Sequence, residues 1–522
     1  MNKDAMQKVK KKYNAWKRYT RTKDYNHYEE YTHARNEATK EVRKAKKYFE
    51  RNLAKEVKSN PKAFWRYVRS KTKVKSGVKD LLKEDGSYAH SEGDKAEILN
   101  SFFASVFTDE NLSEVPVPDD MLNDKKLLDV VFTMEEVKKR LQKLNPTKSP
   151  GPDGLHPKVL KELCNEIAHP LAIIFRKSMD EGEVPIGWKI AEVTAIFKKG
   201  SAADAGNYRP VSLTSIVCKI MESIIRDQTM AFMNKHDIIQ EEQHGFRKGR
   251  SCVTQLLVVM ELWTKMMEEG ADIDVVYLDF RKAFDSVPHQ RLLMKAKASG
   301  ISGKLILWIE SFLVGRKQRV SLNGEKSKWA SVRSGIPQGS VLGPILFIIY
   351  INDLPNVVSS RVMMFADDTK IFTPVNQEDD CHRLQEDLDR LGDWSSKWQL
   401  QFNVGKCGVL HYGKGVDRFT YTMKEGNHFR TLKEFADEKD LGVLFDKSLT
   451  FSKHIGAIAN KATRILGVIK RTFDHMDEET FKALYKTMVR PHLEYANSVW
   501  CPYLKRDINK LEKVQRRATK IV

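Results

Sequence analysis

Apolar and polar positions alternate with three different rhythms along the 522 residues. Up to about residue 60 the chain is rich in Lys, Arg, Glu and Ala, and Asn60-Pro61 breaks the pattern, which predicts one or two long helices and then a stop. A turn at Asp85-Gly86 precedes a second helix, whose Ile98, Leu99, Phe102, Phe103 and Phe107 recur at helical spacing; such a stripe is more often core than site. The acidic, Pro-containing stretch 113–124 reads as a connector, and a compact region is expected to begin near Leu127. From there strand-like and helical stretches intermingle, with turns rich in Gly and Pro at 149–157, 198–210 and 334–344. The run VLGPILFIIYI at 341–351 is too short for the roughly 20 residues of a membrane span and is expected to be buried. Residues 451–522 are helical in pattern, broken at Pro491 and Pro502, and QRRATKIV stops in mid-pattern as a truncated end would. The combination is an α+β chain too large for a single core.

Hydrophobic residues make up 41% and charged residues 30%, a globular balance that excludes a disordered chain. The N-terminus is basic without an apolar run behind it, so no secretory signal is read there and the chain is expected to stay inside the cell. Cys164, Cys218, Cys252, Cys381, Cys407 and Cys501 lack the spacing of a zinc site and are expected to be reduced, mostly buried thiols. Charge changes the picture more. Net charge is +20, and residues 1–80 hold 25 Lys and Arg against 9 Asp and Glu, a surplus of 16. A polyanionic partner follows, nucleic acid before membrane. Aromatics interleave with the basic residues, among them Tyr13, Trp16, Tyr19, Tyr28 and Tyr31. They suit stacking on unpaired bases and equally suit the packed face of a solvated helix.

Two stretches carry candidate chemistry. In RVMMFADDTKIFT, 361–373, two apolar runs flank Asp367 and Asp368, which places adjacent carboxylates at a hairpin tip. Neighbouring carboxylates repel unless a cation neutralises them. An ordinary turn would also accept them, so alone the pair decides nothing. The second stretch, ADIDVVYLDFRKAFDSVPH at 271–289, is an apolar strand ending in Asp279. A carboxylate there can meet the hairpin tip in a shared cleft, as two-metal phosphoryl transfer requires, and oxygen ligands select magnesium over zinc. Asp285, near the same strand end, is expected to cap the following helix.

LDFRKAFDSV, SGIPQGSVLGPILFIIYINDL and FADD together resemble the polymerase motifs of reverse transcriptases, in the form typical of jockey-like non-LTR (LINE) retrotransposons. SPGPDGLHP, IFKKGSAADAGNYRPVSL, QHGFRKGRSC, WQLQFNVGKC, DLGV and the tail from LYKTMVRPHLEYANSVW onward extend the likeness over roughly residues 79–522. The resemblance implies a right-hand polymerase: a basic helical arm or linker at 1–78, an N-terminal extension at 79–126, fingers and palm at 127–445, and a helical thumb at 446–522. It implies that Asp279, Asp367 and Asp368, with the backbone carbonyl of Phe280, hold two Mg2+ ions, for which Mn2+ is a possible substitute. Phe284 matches a steric gate against the ribose 2′-hydroxyl, with a core phenylalanine as the alternative. Arg209 and Lys198 match the cations that clamp the triphosphate, with Lys199 an alternative to Lys198. Gln338 and Gly339 match the loop against the incoming nucleotide, where packing alone could also require the glycine. Lys406 matches a lysine that protonates the leaving pyrophosphate, against the alternative of a solvated surface lysine.

The implied activity is RNA-directed DNA synthesis, in which a primer 3′-OH attacks the α-phosphate of a dNTP on an RNA template. In this family the primer is a nicked chromosomal strand, which implies target-primed reverse transcription in the nucleus and a cytoplasmic ribonucleoprotein stage with the element RNA. The partners are then template RNA, DNA primer and dNTPs, with no membrane. No endonuclease or RNase H motif is read in the chain, so polymerisation without nicking is expected. The competing readings are a catalytically inactive nucleic-acid-binding relic of a retroelement and a maturase-like or telomerase-like polymerase.

Overall fold

A computed structural model describes residues 2–72, 77–118, 125–413, 418–426 and 428–521. The second half of the acidic connector, 119–124, lies outside the described residues. Packing divides the chain into two compact units, Gly77–Asp437 and a second built from Met1–Ser76 with Glu438–Val522.

Gly77–Asp437 mixes helix and sheet, as the sequence pattern predicts. Its main sheet has five strands in the order Lys433–Glu434, Gly408–Tyr412, Asp272–Leu278, Asp368–Val375, Arg361–Phe365. Asp272–Leu278 is central and covered on both faces, which is why DVVYL reads as a continuous apolar run rather than an alternating one. It pairs antiparallel with Asp368–Val375, and Thr369 lies opposite Leu278, so the register brings Asp279 and the hairpin tip to one end of the sheet. The helix Gly343–Tyr350 is buried on nearly every side, as expected of the 341–351 run, and packs in a core with Leu292, Trp308, Leu388 and Trp394. A second sheet pairs Ile190–Phe197 antiparallel with Tyr208–Leu213 and parallel with Lys317–Leu322. The helix Glu92–Ser105 covers it through Ala96, Leu99 and Phe103. The expected stripe on that helix divides: Leu99 and Phe103 are core, Phe102 is only partly buried, and Phe107 lies beyond the helix end.

The other unit is mostly helical. Asn2 caps Lys3–Thr22 through Ala5 N–H, Lys23 turns the chain at φ 55°, and Asp24 caps Tyr25–Glu56. These helices close over Ala5, Ala34 and Ala38, with Trp16, Tyr19, Tyr28 and Tyr31 in ring contact at 4.8–6.3 Å along the seam. Pro61 opens Pro61–Thr72, where its missing N–H removes no bond. Leu53, Val57, Phe64 and Val68 share a core with Leu466, Ile469, Phe473 and Leu484 from the C-terminal helices. Residues 53–68 are thus built into the C-terminal helical packing. Pro491 follows a π-helical turn, Tyr485–Val489, and the last helix ends at Thr519 rather than running to the chain end.

Candidate active site

Asp279 follows the last residue of the central strand, and two bonds fix it from behind. Asn403 N–H donates to its carbonyl at 2.6 Å, and its own N–H points at Cys407 Sγ at 3.4 Å. Across the sheet, Ala366 takes φ 56° so that the hairpin can turn in two residues, leaving Asp367 at the tip and Asp368 as the first residue of the returning strand. Asp279 and Asp367 line one cavity of about 630 Å³. Burial first and the Asp279 charge in addition push the Asp367 carboxyl above its ordinary pKa. Asp368 is exposed and does not line that cavity. Among the described residues no cluster of three carboxylate, histidine or cysteine groups is drawn together. Lys406 instead places its ammonium 2.9 Å from Asp279 Oδ2.

The opposite wall is cationic. Lys198, Lys199 and Arg209 line the same cavity from the strand pair Ile190–Phe197 and Tyr208–Leu213 and the turn between them. Burial lowers the Lys198 pKa, and the charges of Arg209 and Lys406 lower it further, while Asp279 opposes them. The floor is apolar: Phe280 stacks on Phe402 at 4.6 Å and Phe284 on Phe347 at 4.7 Å, both rings belonging to cavity-lining residues. Phe284 is therefore packed against the core and also faces the cavity. Gly339, at φ 109°, leaves no room for a side chain, since a Cβ would lie 2.7 Å from Ser212 O. Gln338 accepts the Ser212 N–H on its backbone carbonyl. Of the ten residues singled out in the sequence, nine border this one cavity and Asp368 stands outside it.

The sequence pattern of the family described as reverse transcriptase (RNA-dependent DNA polymerase) matches residues 196–469, which span the strand end, the hairpin and the Gln338 loop. The chain belongs to the reverse transcriptase family. It is similar to the RNA-directed DNA polymerase from mobile element jockey of Drosophila funebris, 31% identical over 74% of this chain and 43% of that protein. The Drosophila melanogaster protein of the same name is 29% identical over 89% of this chain and 52% of its own length. A probable RNA-directed DNA polymerase from transposon X-element of Drosophila melanogaster is 25% identical over 88% and 52%. The chain thus spans about half the length of the curated relatives it matches.

Four residues of this chain shape the site without having been singled out for it. Asp285 does not cap a helix: it lies inside the short helix Ala283–Ser286, and its two carboxylate oxygens share the N–H donated by Gln338 Nε2 at 2.9 and 2.8 Å. Burial pushes its pKa up to about 6, against the lowering effects of the Gln338 bonds, Lys282 and Arg209. Pro288 holds the N-cap position of the following helix, His289–Ala298, so Asp285 stands three residues too early. Gln243, in QHGFRKGRSC, is fully buried, and its Oε1 accepts the N–H groups of Gly245 and Ala366, fixing the turn before Asp367. A Cβ on Gly245 would fall 2.5 Å from Ala366 N, so loop and hairpin are in direct backbone contact. Glu222 accepts the N–H groups of Val341 and Leu342 at 2.6 and 3.0 Å and so anchors the end of the Gln338 loop. Lys282, at φ 52°, also lines the cavity, with its ammonium 5.0 Å above the Phe102 ring.

Proposed function

We propose that this chain is the RNA-directed DNA polymerase of a jockey-like non-LTR retrotransposon, adding dNTPs to a primer 3′-OH on an RNA template. The observation that carries the reading is the convergence of two carboxylates, Asp279 and Asp367, and two cations, Lys198 and Arg209, on one cavity. Burial first and like charge in addition disfavour the ionised forms of Asp367 and Lys198. A magnesium-bound triphosphate would relieve both at once.

The residues fit a hard divalent cation, because the Lys406 ammonium already sits against Asp279 where positive charge is favoured. Asp279, Asp367, Asp368 and the Phe280 carbonyl would hold it. Bound there, two Mg2+ ions would acidify the primer hydroxyl and offset charge on the phosphates. The protein's own groups do the rest. Lys198 and Arg209 hold the β- and γ-phosphates; Phe284 fills the space of a 2′-hydroxyl; Gln338 and Gly339 lie against the nucleotide; Lys406 moves from Asp279 to give a proton to the departing pyrophosphate. In this reading the two sheets and their helices, 127–445, supply fingers and palm, 446–522 the thumb, 79–126 an extension and 1–78 a basic arm. Target-primed synthesis in the nucleus, after a cytoplasmic stage with the element RNA, belongs to the same proposal.

Primer extension on poly(rA) with oligo(dT), dTTP and magnesium tests it. Extension that disappears in Asp367→Ala while RNA binding persists supports the enzyme. RNA binding with no extension by the unaltered chain would instead identify an inactive relic.

A further inference from the structure

A second cavity, of about 540 Å³, lies beside the catalytic one and shares Phe102, Lys282, Asn403 and Lys406 with it. Its charged lining residues are Arg281, Lys282 and Lys406, and among the described residues no carboxylate side chain lines it. Gln399, Gln401 and Asn403 add amides. The walls are fixed rather than loose. The segment after the helix Glu92–Ser105 is tied down where Thr108 N–H donates to Ser334 Oγ and Thr108 Oγ1 to the Ser286 carbonyl, both at 2.7 Å. Opposite, Arg281 N–H donates to the Gln401 carbonyl at 2.8 Å. A cavity of this size lies within the range of roughly 300–1,000 Å³ of small-ligand sites. Arg281, Lys282 and Lys406 converge on it, and although Lys406 also reaches Asp279 on the catalytic side, such a lining suits a compact polyanion.

We propose that this cavity is a second anion site, which takes inorganic pyrophosphate as it leaves the catalytic cavity past Lys282 and Lys406. The assignment rests on the polymerase reading for the origin of its ligand, and on the lining alone for the ligand's chemistry. Nucleotide addition breaks the bond between the α-phosphorus and the oxygen bridging to the β-phosphorus, and the electron pair leaves on that oxygen. The product is a small, highly charged diphosphate released at the wall the two cavities share. Lys406 stands at that wall and reaches Asp279 on the catalytic side. Arg281 lines only the second cavity and so separates the two sites experimentally.

Calorimetric titration of inorganic pyrophosphate with magnesium into the full chain tests the site independently of turnover. Arg281→Gln is expected to weaken binding about tenfold, the scale of one charge-assisted contact, and Arg281→Lys to restore most of it. Ser105→Trp, which fills the cavity from the helix end and removes no cation, is expected to abolish it. Wild-type affinity in both Arg281→Gln and Ser105→Trp, with loss only in Arg209→Ala, would place pyrophosphate in the triphosphate clamp and overturn the proposal. In primer extension, Arg281→Gln should raise the pyrophosphate inhibition constant several-fold more than the dTTP KM; equal shifts would also overturn it. A wild-type chain that binds pyrophosphate through Arg281 yet never extends a primer would sink the polymerase reading and leave the anion site standing.

Discussion

At neutral pH the Asp285 carboxylate is ionised in a place that disfavours ionisation, and Gln338 is what it holds. Its folded pKa, about 6, lies above the ordinary 3.8, so between those values the folded chain binds more protons than the unfolded one. Stability therefore falls as pH rises through that window and stays lower above it, by about 3 kcal/mol for this shift. Asp285→Asn removes that penalty but keeps one acceptor for Gln338. It is expected to melt higher at pH 7.5, to lose this component of the pH dependence between 4 and 6, and to show a raised dNTP KM because Gln338 is held by one bond. Melting curves at the two pH values together with steady-state extension check this; an unchanged pH dependence would remove the assignment. Gln243 is a second case in which a buried side chain serves backbone. Gln243→Leu strands the N–H groups of Gly245 and Ala366, at about 2–3 kcal/mol. Gln243→Glu retains an acceptor. Extension should fall at least about tenfold in the leucine variant, as the Asp367 turn loosens, and less in the glutamate variant. Equal activity in both would show that the turn holds without this bond.

Elements differ in how far the sequence reveals them. The apolar run closed by Asp279, the hairpin around Asp367 and the long basic helices are legible because each is a local pattern of alternation or helical spacing. Neighbours across the fold are not, since periodicity says which face is apolar and never what covers it. Phe102 shows the limit: it sits on the expected helical stripe yet lines the cavity that holds Asp279 and Asp367. The same limit hides the packing of residues 53–68 against helices some 400 positions later. Glu50 reads as one more charge on a solvated helix. It is fully buried, accepts the N–H groups of Asp474 and His475, and receives the Tyr67 hydroxyl at 2.6 Å. Burial, helped by Glu50, drives the Tyr67 pKa upward, so the phenol stays a donor at neutral pH. Phe64→Ala is expected to destabilise this unit by about 3–5 kcal/mol through the cavity it leaves against Phe473. Glu50→Ala should cost about 2–4 kcal/mol through stranded backbone donors. Hydrogen exchange on 459–489 reads both changes: faster exchange there is expected, and native protection would show that the arm is dispensable to that packing.

Across the whole molecule charge is distributed unevenly, with residues 1–80 carrying 16 of the net 20 positive charges. Of the rings in this region, Trp16, Tyr19, Tyr28 and Tyr31 contact one another in the seam between the first two helices, while Tyr13, Tyr25 and Tyr48 stay exposed. Phosphate contact by the basic residues is the part of nucleic-acid binding that salt tests. Affinity gained from phosphates comes with release of counterions, so it must decline with salt by a slope near −0.7 per neutralised phosphate of a single strand. Lys10, Lys17 and Arg21 are exposed on Lys3–Thr22, where replacement by Gln disturbs no buried group. If all three touch phosphate, the triple substitution should flatten the plot of log affinity for single-stranded RNA against log salt by about 2. The dTTP KM should stay near its original value, since none of the three lines the cavity that holds Asp279 and Asp367. Fluorescence anisotropy of a labelled RNA oligonucleotide over a salt series measures the slope. A slope unchanged by the substitutions would mean that RNA is held by other surfaces and that the charge of this helix serves only its own solvation.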